Sequence, residues 1–477
     1  MAGRIPLTHD APPASATPGW RARLASLFRS EHHDSIAKRT AGSAFLIRVA
    51  SAASLYLSQI LFARWMGGAE FGVYVYVWTW TLMIGDLIHL GLANVAPRFI
   101  PQYRQERRED LLRGFITASC GLVFASATLA ALVAMLAIRL CEPILDAGEV
   151  LPLYLACLVL PAYALSIMLD GIARSYNWVG LALLPPYLLR PLFVVVLTAI
   201  AHQAGIVVDS VTVIAAAIGA SWAAMLIQLV GLRRSLRAMV PAGSREHRVG
   251  LWLSTALPVL MVVGFYTLLT YTDILVLRQF VPSADVAVYY AATKTLALVA
   301  IIYFAVGAAV AHRFSEYHVS GDRERLESFV TASLGWTFWP SLAAMAVVLM
   351  LGWPILALFG ADFVRGYPLM FVLAAGLIAR ASVGPAERLL NMVGEQRVCA
   401  LVYAIAFAVN LSLCLALVPR LGMTGAALST ASALIAETAL LYLFVRRRLG
   451  LHAFIVRRRP AARDAGTARN QGTGAPV

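Results

Sequence analysis

ARSYNWVG, Ala173 to Gly180, and ERLLNMVG, Glu387 to Gly394, share the pattern R-x-x-N-x-V-G at a spacing of 214 residues. Other residues keep that spacing: Arg64 falls on Arg278, and Arg233 with Arg234 on Arg447 with Arg448. With one residue inserted, AEFGVY (Ala69 to Tyr74) aligns with ADVAVY (Ala284 to Tyr289). Four anchors at one spacing indicate an internal duplication, so the nature of one copy decides the fold of the whole chain.

Each copy is a series of membrane crossings. The 477 residues are 60% hydrophobic and 13% charged, with a mean hydropathy of +0.75, well above that of a soluble globular chain. A crossing needs about 20 predominantly apolar residues to span roughly 30 Å of hydrocarbon. Twelve such windows fit, near 41–64, 72–96, 114–138, 150–171, 179–201, 210–232, 252–277, 284–311, 328–354, 367–386, 398–418 and 424–445. Six fall in each copy, and an even number gives both copies the same orientation, related by an axis along the membrane normal. The expected fold class is an all-α polytopic membrane protein of about twelve transmembrane helices in two parallel six-helix halves. Its expected parts are a disordered cytoplasmic N-terminal tail over 1–40, a first six-helix bundle over 41–234, a cytoplasmic linker over 235–250, a second bundle over 251–448 and a cytoplasmic C-terminal tail over 449–477.

A net charge of +14 could suggest a nucleic-acid partner, but the basic residues are scattered among short loops, as membrane insertion requires. No nucleic-acid partner is expected. Alternate loops are arginine-rich, among them Arg98 to Arg113, Arg233 to Arg248 and Arg313 to Arg325, as are both tails. Those segments face the cytoplasm by the positive-inside rule, which puts both termini inside. The five cysteines, Cys120, Cys141, Cys157, Cys399 and Cys414, lie in or beside apolar runs with no close pair, so neither a disulfide framework nor a metal site is expected. No loop is long enough to fold as a catalytic domain. The chain carries no G-x-x-x-x-G-K-[ST] loop and no nucleophile with a base at plausible spacing. It is expected to be no enzyme, with no catalytic residues and no cofactor.

The runs LFARWMGGAEFGVYVYVWTW (61–80), GLANVAPRFIPQYRQERREDLLRGF (91–115), DILVLRQFVPSADVAVYYAATK (273–294), NMVGEQRV (391–398) and LVPRLGMTGAALSTASALI (417–435) resemble the polysaccharide exporter and O-antigen flippase family. That family belongs to the multidrug/oligosaccharidyl-lipid/polysaccharide exporter superfamily, with the multidrug extruders and the lipid II flippases. The resemblance covers about 41–450 and has no signature motif. It implies a V-shaped bundle in the bacterial inner membrane. Its expected function is to flip an undecaprenyl-pyrophosphate-linked oligosaccharide from the cytoplasmic to the periplasmic leaflet for exopolysaccharide, capsule or O-antigen lipopolysaccharide biosynthesis. A glycan polymerase and a chain-length regulator are the partners implied. Lipid II flippases typically have fourteen spans, and twelve argues against that branch. A cation-coupled exporter of drugs or metabolites and a non-transporting scaffold of a glycan polymerase complex stand as alternatives.

Ionisable groups at membrane depth mark a pathway or an ion pair, because each costs about 2.5 to 3.5 kcal/mol on insertion scales. A pyrophosphate cannot enter hydrocarbon unaided, and guanidinium groups bind phosphate oxygens through paired charge-assisted hydrogen bonds. The expected pyrophosphate contacts are Arg48, Arg190, Lys294 and Arg380. Arg48 either lines the cytoplasmic half of the cavity or snorkels to the interface. Arg190, between prolines in PPYLLRPLF, either faces the cavity or pairs with Asp86 or Asp170. Asp86 and Asp273 are candidates for ion coupling or charge pairing, Asp273 with the alternative of reaching the outer interface. His89 reads as a packing residue. YVYVWTW, Tyr74 to Trp80, reads as an aromatic belt in preference to a sugar-stacking surface.

Overall fold

The computed structural model describes the backbone of residues 32–455 and side chains from Ile47 onward. The distal parts of both expected tails, 1–31 and 456–477, lie outside the described residues. Helix α1, His32–Ile88, begins inside the stretch expected as tail. Ten helical runs are long and apolar enough to cross a membrane, and a pair bent by 43°, α4 (Ala147–Cys157) with α5 (Leu160–Ser175), supplies another crossing.

One of the ten runs, Ile47–Gln105, has 59 residues, about 88 Å of helix at 1.5 Å per residue and nearly three times the hydrocarbon thickness. It reverses at Gly67, where φ is 76° and ψ 170°, a conformation that costs little only without a Cβ. The Phe62 and Tyr74 rings are 5.8 Å apart, whereas twelve residues of straight helix would separate them by roughly 18 Å. That run is two crossings, so the described residues cross twelve times. The second crossing continues through a break at Leu90 and Gly91, both at positive φ, into α2 (Leu92–Gln105).

The later helices are α3 (Glu109–Cys141), α6 (Val179–Leu184), α7 (Arg190–Gln203), α8 (Ser210–Met239), α9 (Val249–Arg278), α10 (Ser283–Val319), α11 (Arg323–Met350), α12 (Gly352–Phe359), α13 (Tyr367–Ser382), α14 (Ala386–Met392), α15 (Gln396–Leu421) and α16 (Met423–Leu449). The linker between the halves is tied to the first: Arg108 pairs with Glu246 at 2.7 Å and Arg113 donates to Pro241 O at 2.7 Å.

The apolar cores give the bundle its V shape. At the arginine-poor end a single core joins the halves, with Phe62, Phe71 and Tyr74 packed among Leu277, Val288 and Phe359. At the arginine-rich end the cores are separate. One holds Phe99, Phe115 and Ile172 of the first half with Trp252 and Ala256 of α9; the other holds Phe314, Leu389 and Val445 of the second half. The core shared broadly by both halves thus lies at the arginine-poor end, while at the arginine-rich end α9 alone carries second-half residues into the core of the first.

Two arginines reinforce the seal. Arg64, at the end of the first crossing, donates to Leu358 O at 2.6 Å and Ala357 O at 2.8 Å, carbonyls in the last turn of α12 that no helical N–H reaches. Arg278, at the end of α9, pairs with Asp146 and Glu149. Each arginine crosses to the other half, and the two are partners in the 214-residue repeat. At the same spacing Asp146 and Glu149 fall on Gly360 and Phe363, beside the carbonyls that Arg64 takes. The duplication has thus built the same latch twice, with different acceptors.

Between the latches the backbones touch. A Cβ on Gly72 would lie 1.8 Å from Ser283 O, closer than atoms can approach. Gly72→Val is expected to force the sealed end apart. In a chain cleared of its native cysteines, Ala287→Cys should gain labelling by a membrane-impermeant maleimide when Gly72→Val is added. Unchanged labelling would contradict the close approach.

Candidate functional site

The fifth crossing carries three prolines around one arginine. Pro185, Pro186 and Pro191 donate no N–H, and each ring crowds the preceding turn. The chain accommodates them by widening over Pro185–Leu189, so that the Arg190 N–H reaches back five residues to Pro185 O, as in a π-bulge. From that bulge the Arg190 side chain extends to the Tyr163 ring at 4.9 Å and the Trp78 ring at 6.0 Å. It is half-buried, and among the described residues no carboxylate lies within ion-pairing distance of it. The two partners anticipated for it are engaged elsewhere. Asp86 accepts from Tyr163 Oη at 3.2 Å, and Asp170 pairs with Arg174 at 3.0 Å. The second, fourth and fifth crossings thus gather Trp78, Asp86, Tyr163 and Arg190, and Tyr271 of α9 lies within electrostatic reach of Asp86 and Arg190.

Lys294, on α10, has a similar setting in the second half. It is half-buried, sits 5.1 Å from the Tyr290 ring, and has Asp273 as its electrostatic neighbour. Asp273 does not reach the outer interface, contrary to one reading of the sequence. It is 5% exposed and accepts from Tyr289 Oη at 2.6 Å, Thr430 Oγ1 at 3.0 Å and the Ile274 N–H at 2.8 Å. Packing of α9 against α10 and α16 turns it inward.

Arg380, on α13, is held differently. Its guanidinium meets Glu437 of α16 at 3.4 Å, with Glu437 fully buried, and lies 4.9 Å from the Tyr303 ring. Both Glu437 oxygens, and Nε and Nη2 of Arg380, are enclosed without a directed hydrogen bond. This is an electrostatic pair without a directed hydrogen bond between its partners. Arg48 is exposed in the first crossing and is an electrostatic neighbour of Asp170. The four predicted cations are therefore spread over both halves: two rest on aromatic rings without ion pairs, one is paired and one is exposed. His89 closes the break in the second crossing, its Nδ1 accepting from the Gly91 N–H at 3.0 Å, which is the packing role read for it.

The aromatic run departs from its reading as a belt. Tyr74 and Tyr76 are buried in the joined core, and Trp78 meets Arg190. Tyr74 and Trp78 stand one helical turn apart with ring centroids at 6.1 Å, and that spacing was the available signal that they share an inward face.

Residues 93–463 match the family model of the lipid II flippase MurJ. The chain belongs to the MurJ lipid II flippase family. The argument from span number against the lipid II branch falls with that match, which lies in a chain of twelve crossings and begins near the end of the second. No curated protein matches it in sequence. Among solved structures it is similar to an inward-facing multidrug resistance MATE family transporter of the MOP superfamily, at 16% identity and a TM-score of 0.71, covering 85% of this chain and 98% of that one. It is similar to a lipid II flippase MurJ in an inward closed conformation, at 16% identity and a TM-score of 0.65, covering 84% of this chain and 87% of that one. A MOP superfamily transporter from Pyrococcus furiosus matches at 14% identity and a TM-score of 0.64, covering 89% and 97%. Identities this low establish the shared fold alone, a two-half bundle.

Proposed function

We propose that the protein flips a polyprenyl-pyrophosphate-linked glycan, of the undecaprenyl-pyrophosphate oligosaccharide type, across the bacterial inner membrane for exopolysaccharide, capsule or O-antigen lipopolysaccharide synthesis. The observation that carries this reading is the pair of cations in no direct ion pair, Arg190 and Lys294, one in each half and each resting on an aromatic ring. A half-buried cation without a direct ion pair is costly, and an anionic cargo would supply that contact. With the arginine-rich end in the cytoplasm, the cleft loads from the side where such glycans are assembled. Arg48 meets the pyrophosphate at the mouth, Arg190 and Lys294 hold it deeper, and Arg380 joins them if Glu437 releases it.

Export of two negative charges from an inside-negative compartment is favourable by about 2.3 kcal/mol per charge per 100 mV, and Asp86 or Asp273 could add an ion to the cycle. A glycan polymerase and its chain-length regulator would receive the product. Vesicles containing the purified protein, loaded on the inner leaflet with lipid II or with an oligosaccharide-bearing carrier, should expose sugar to an external lectin or glycosidase. No exposure of either substrate sinks the reading. One observation favours a rival, a cation-coupled exporter: two carboxylates, Asp273 and Glu437, are buried in the second half. Uptake of a cationic dye into the same vesicles, without glycan exposure, would establish that rival.

A further inference from the structure

We propose that Asp86 and Trp78 form a saccharide subsite beside Arg190, through which the protein admits a carrier pyrophosphate only when a sugar is attached. This rests on the reading of the cargo as a lipid-linked glycan and adds the feature that selects it.

Asp86 is out of place in a cavity made only for pyrophosphate. A carboxylate close to a cation that must receive a dianion repels that dianion. Asp86 makes no direct ion pair with Arg190: it accepts from Tyr163 Oη at 3.2 Å and lies only within electrostatic reach of the guanidinium. That bond occupies Oδ1. Its second oxygen, Oδ2, has no partner among the described residues and is not enclosed, unlike both oxygens of Glu437. An open acceptor at membrane depth asks for a donor from the cargo. The glycan offers donors in its sugar hydroxyls; the pyrophosphate has only acceptors.

The aromatic neighbours fit the rest of a pyranose. Trp78 is half-buried beside the Arg190 guanidinium and Tyr271 is half-buried within electrostatic reach of Asp86 and Arg190, so one aromatic ring stands beside the guanidinium and another near the carboxylate. A pyranose presents that combination in reverse: an apolar C–H face, which packs on an aromatic ring, and equatorial hydroxyls at its edge, which a carboxylate accepts. Arg190 lies beside the Trp78 ring and can hold the phosphate to which the first sugar is joined. The same carboxylate thus works against the bare carrier and for the glycosylated one. The recognised class is a hexopyranose with free hydroxyls, adjacent to the pyrophosphate.

The test measures binding by full-length protein in lipid nanodiscs, with undecaprenyl pyrophosphate and undecaprenyl-pyrophosphate N-acetylglucosamine as probes. The wild type should prefer the glycosylated probe. Asp86→Asn keeps an oxygen for Tyr163 but removes the charge; it should bind the bare carrier about tenfold more tightly and lose the preference. Trp78→Leu should weaken the glycosylated probe about tenfold more than the bare one. An Asp86→Asn ratio equal to that of the wild type overturns the subsite while the cargo reading stands. So does a variant that loses sodium or proton dependence at an unchanged ratio, which would make Asp86 a coupling residue. A wild type that binds neither probe overturns the cargo reading, and the subsite falls with it.

Discussion

Replacing Arg190 with alanine is expected to weaken binding of a pyrophosphate-linked glycan by roughly thirtyfold or more, with the amount of folded protein unchanged. The magnitude follows from removing one partner of a desolvated charge pair, which costs about 2 to 5 kcal/mol, and 1.4 kcal/mol is tenfold in affinity. Protein abundance should hold because no folding contact depends on an Arg190 ion pair. Its close side-chain contacts are two ring faces, and a cation on an aromatic face is worth about 0.5 to 2 kcal/mol. Arg190→Lys separates charge from geometry: a point charge cannot reproduce bidentate donation, so it should recover only part of the loss. Isothermal titration of wild type and both variants with the same carrier measures the effect. Equal affinity in wild type and Arg190→Ala would remove Arg190 from the cargo site.

The opposite profile is expected of Glu437. Glu437→Ala leaves Arg380 charged, largely enclosed and without its counter-ion, its Nε and Nη2 lacking a directed hydrogen bond. Breaking one side of a buried pair costs about 3 to 5 kcal/mol, a large share of the 5 to 15 kcal/mol that stabilises a typical fold. Glu437→Ala should therefore accumulate poorly and unfold at a clearly lower temperature in detergent. Arg380→Met combined with Glu437→Leu removes both charges at similar volume and should recover most of the loss. The double variant also asks what Arg380 contributes to transport. If vesicles holding it still flip the carrier at the wild-type rate, Arg380 belongs to the frame of the second half and not to the cargo path. A Glu437→Ala protein as stable as the wild type would show that Arg380 is solvated after all.

Much of the fold was legible because crossings are written in composition. An apolar window of fixed length and alternation of arginine in the loops are local signals, and the 214-residue spacing orders them into halves. The reversal at Gly67 and the widened turn before Arg190 also have local causes, a glycine and clustered prolines. The site was legible only as depth. Charge in an apolar run says that Arg190, Arg380 and Asp273 must be compensated, but not by what. Compensation comes from other helices: Tyr163 and Trp78 for Arg190, Glu437 for Arg380, Tyr289 and Thr430 for Asp273. The same limit explains Tyr74 and Trp78, whose inward face was decided by the packing of the second half against them.

The paired arginines at the sealed end set a condition on idle running. With Arg64 on backbone carbonyls and Arg278 on two carboxylates, the cleft cannot open outward on one flank alone, because releasing either arginine leaves the other fastened. Both must let go before that end opens. An empty transporter therefore meets a toll that thermal motion seldom covers, and a loaded one can draw on the energy of cargo binding to meet it. The carbonyl latch cannot be protonated away, so acid at the sealed end loosens only one of the two fastenings. A pore that would otherwise leak lipid or ions between turnovers is kept shut by a safeguard that the duplication supplied twice.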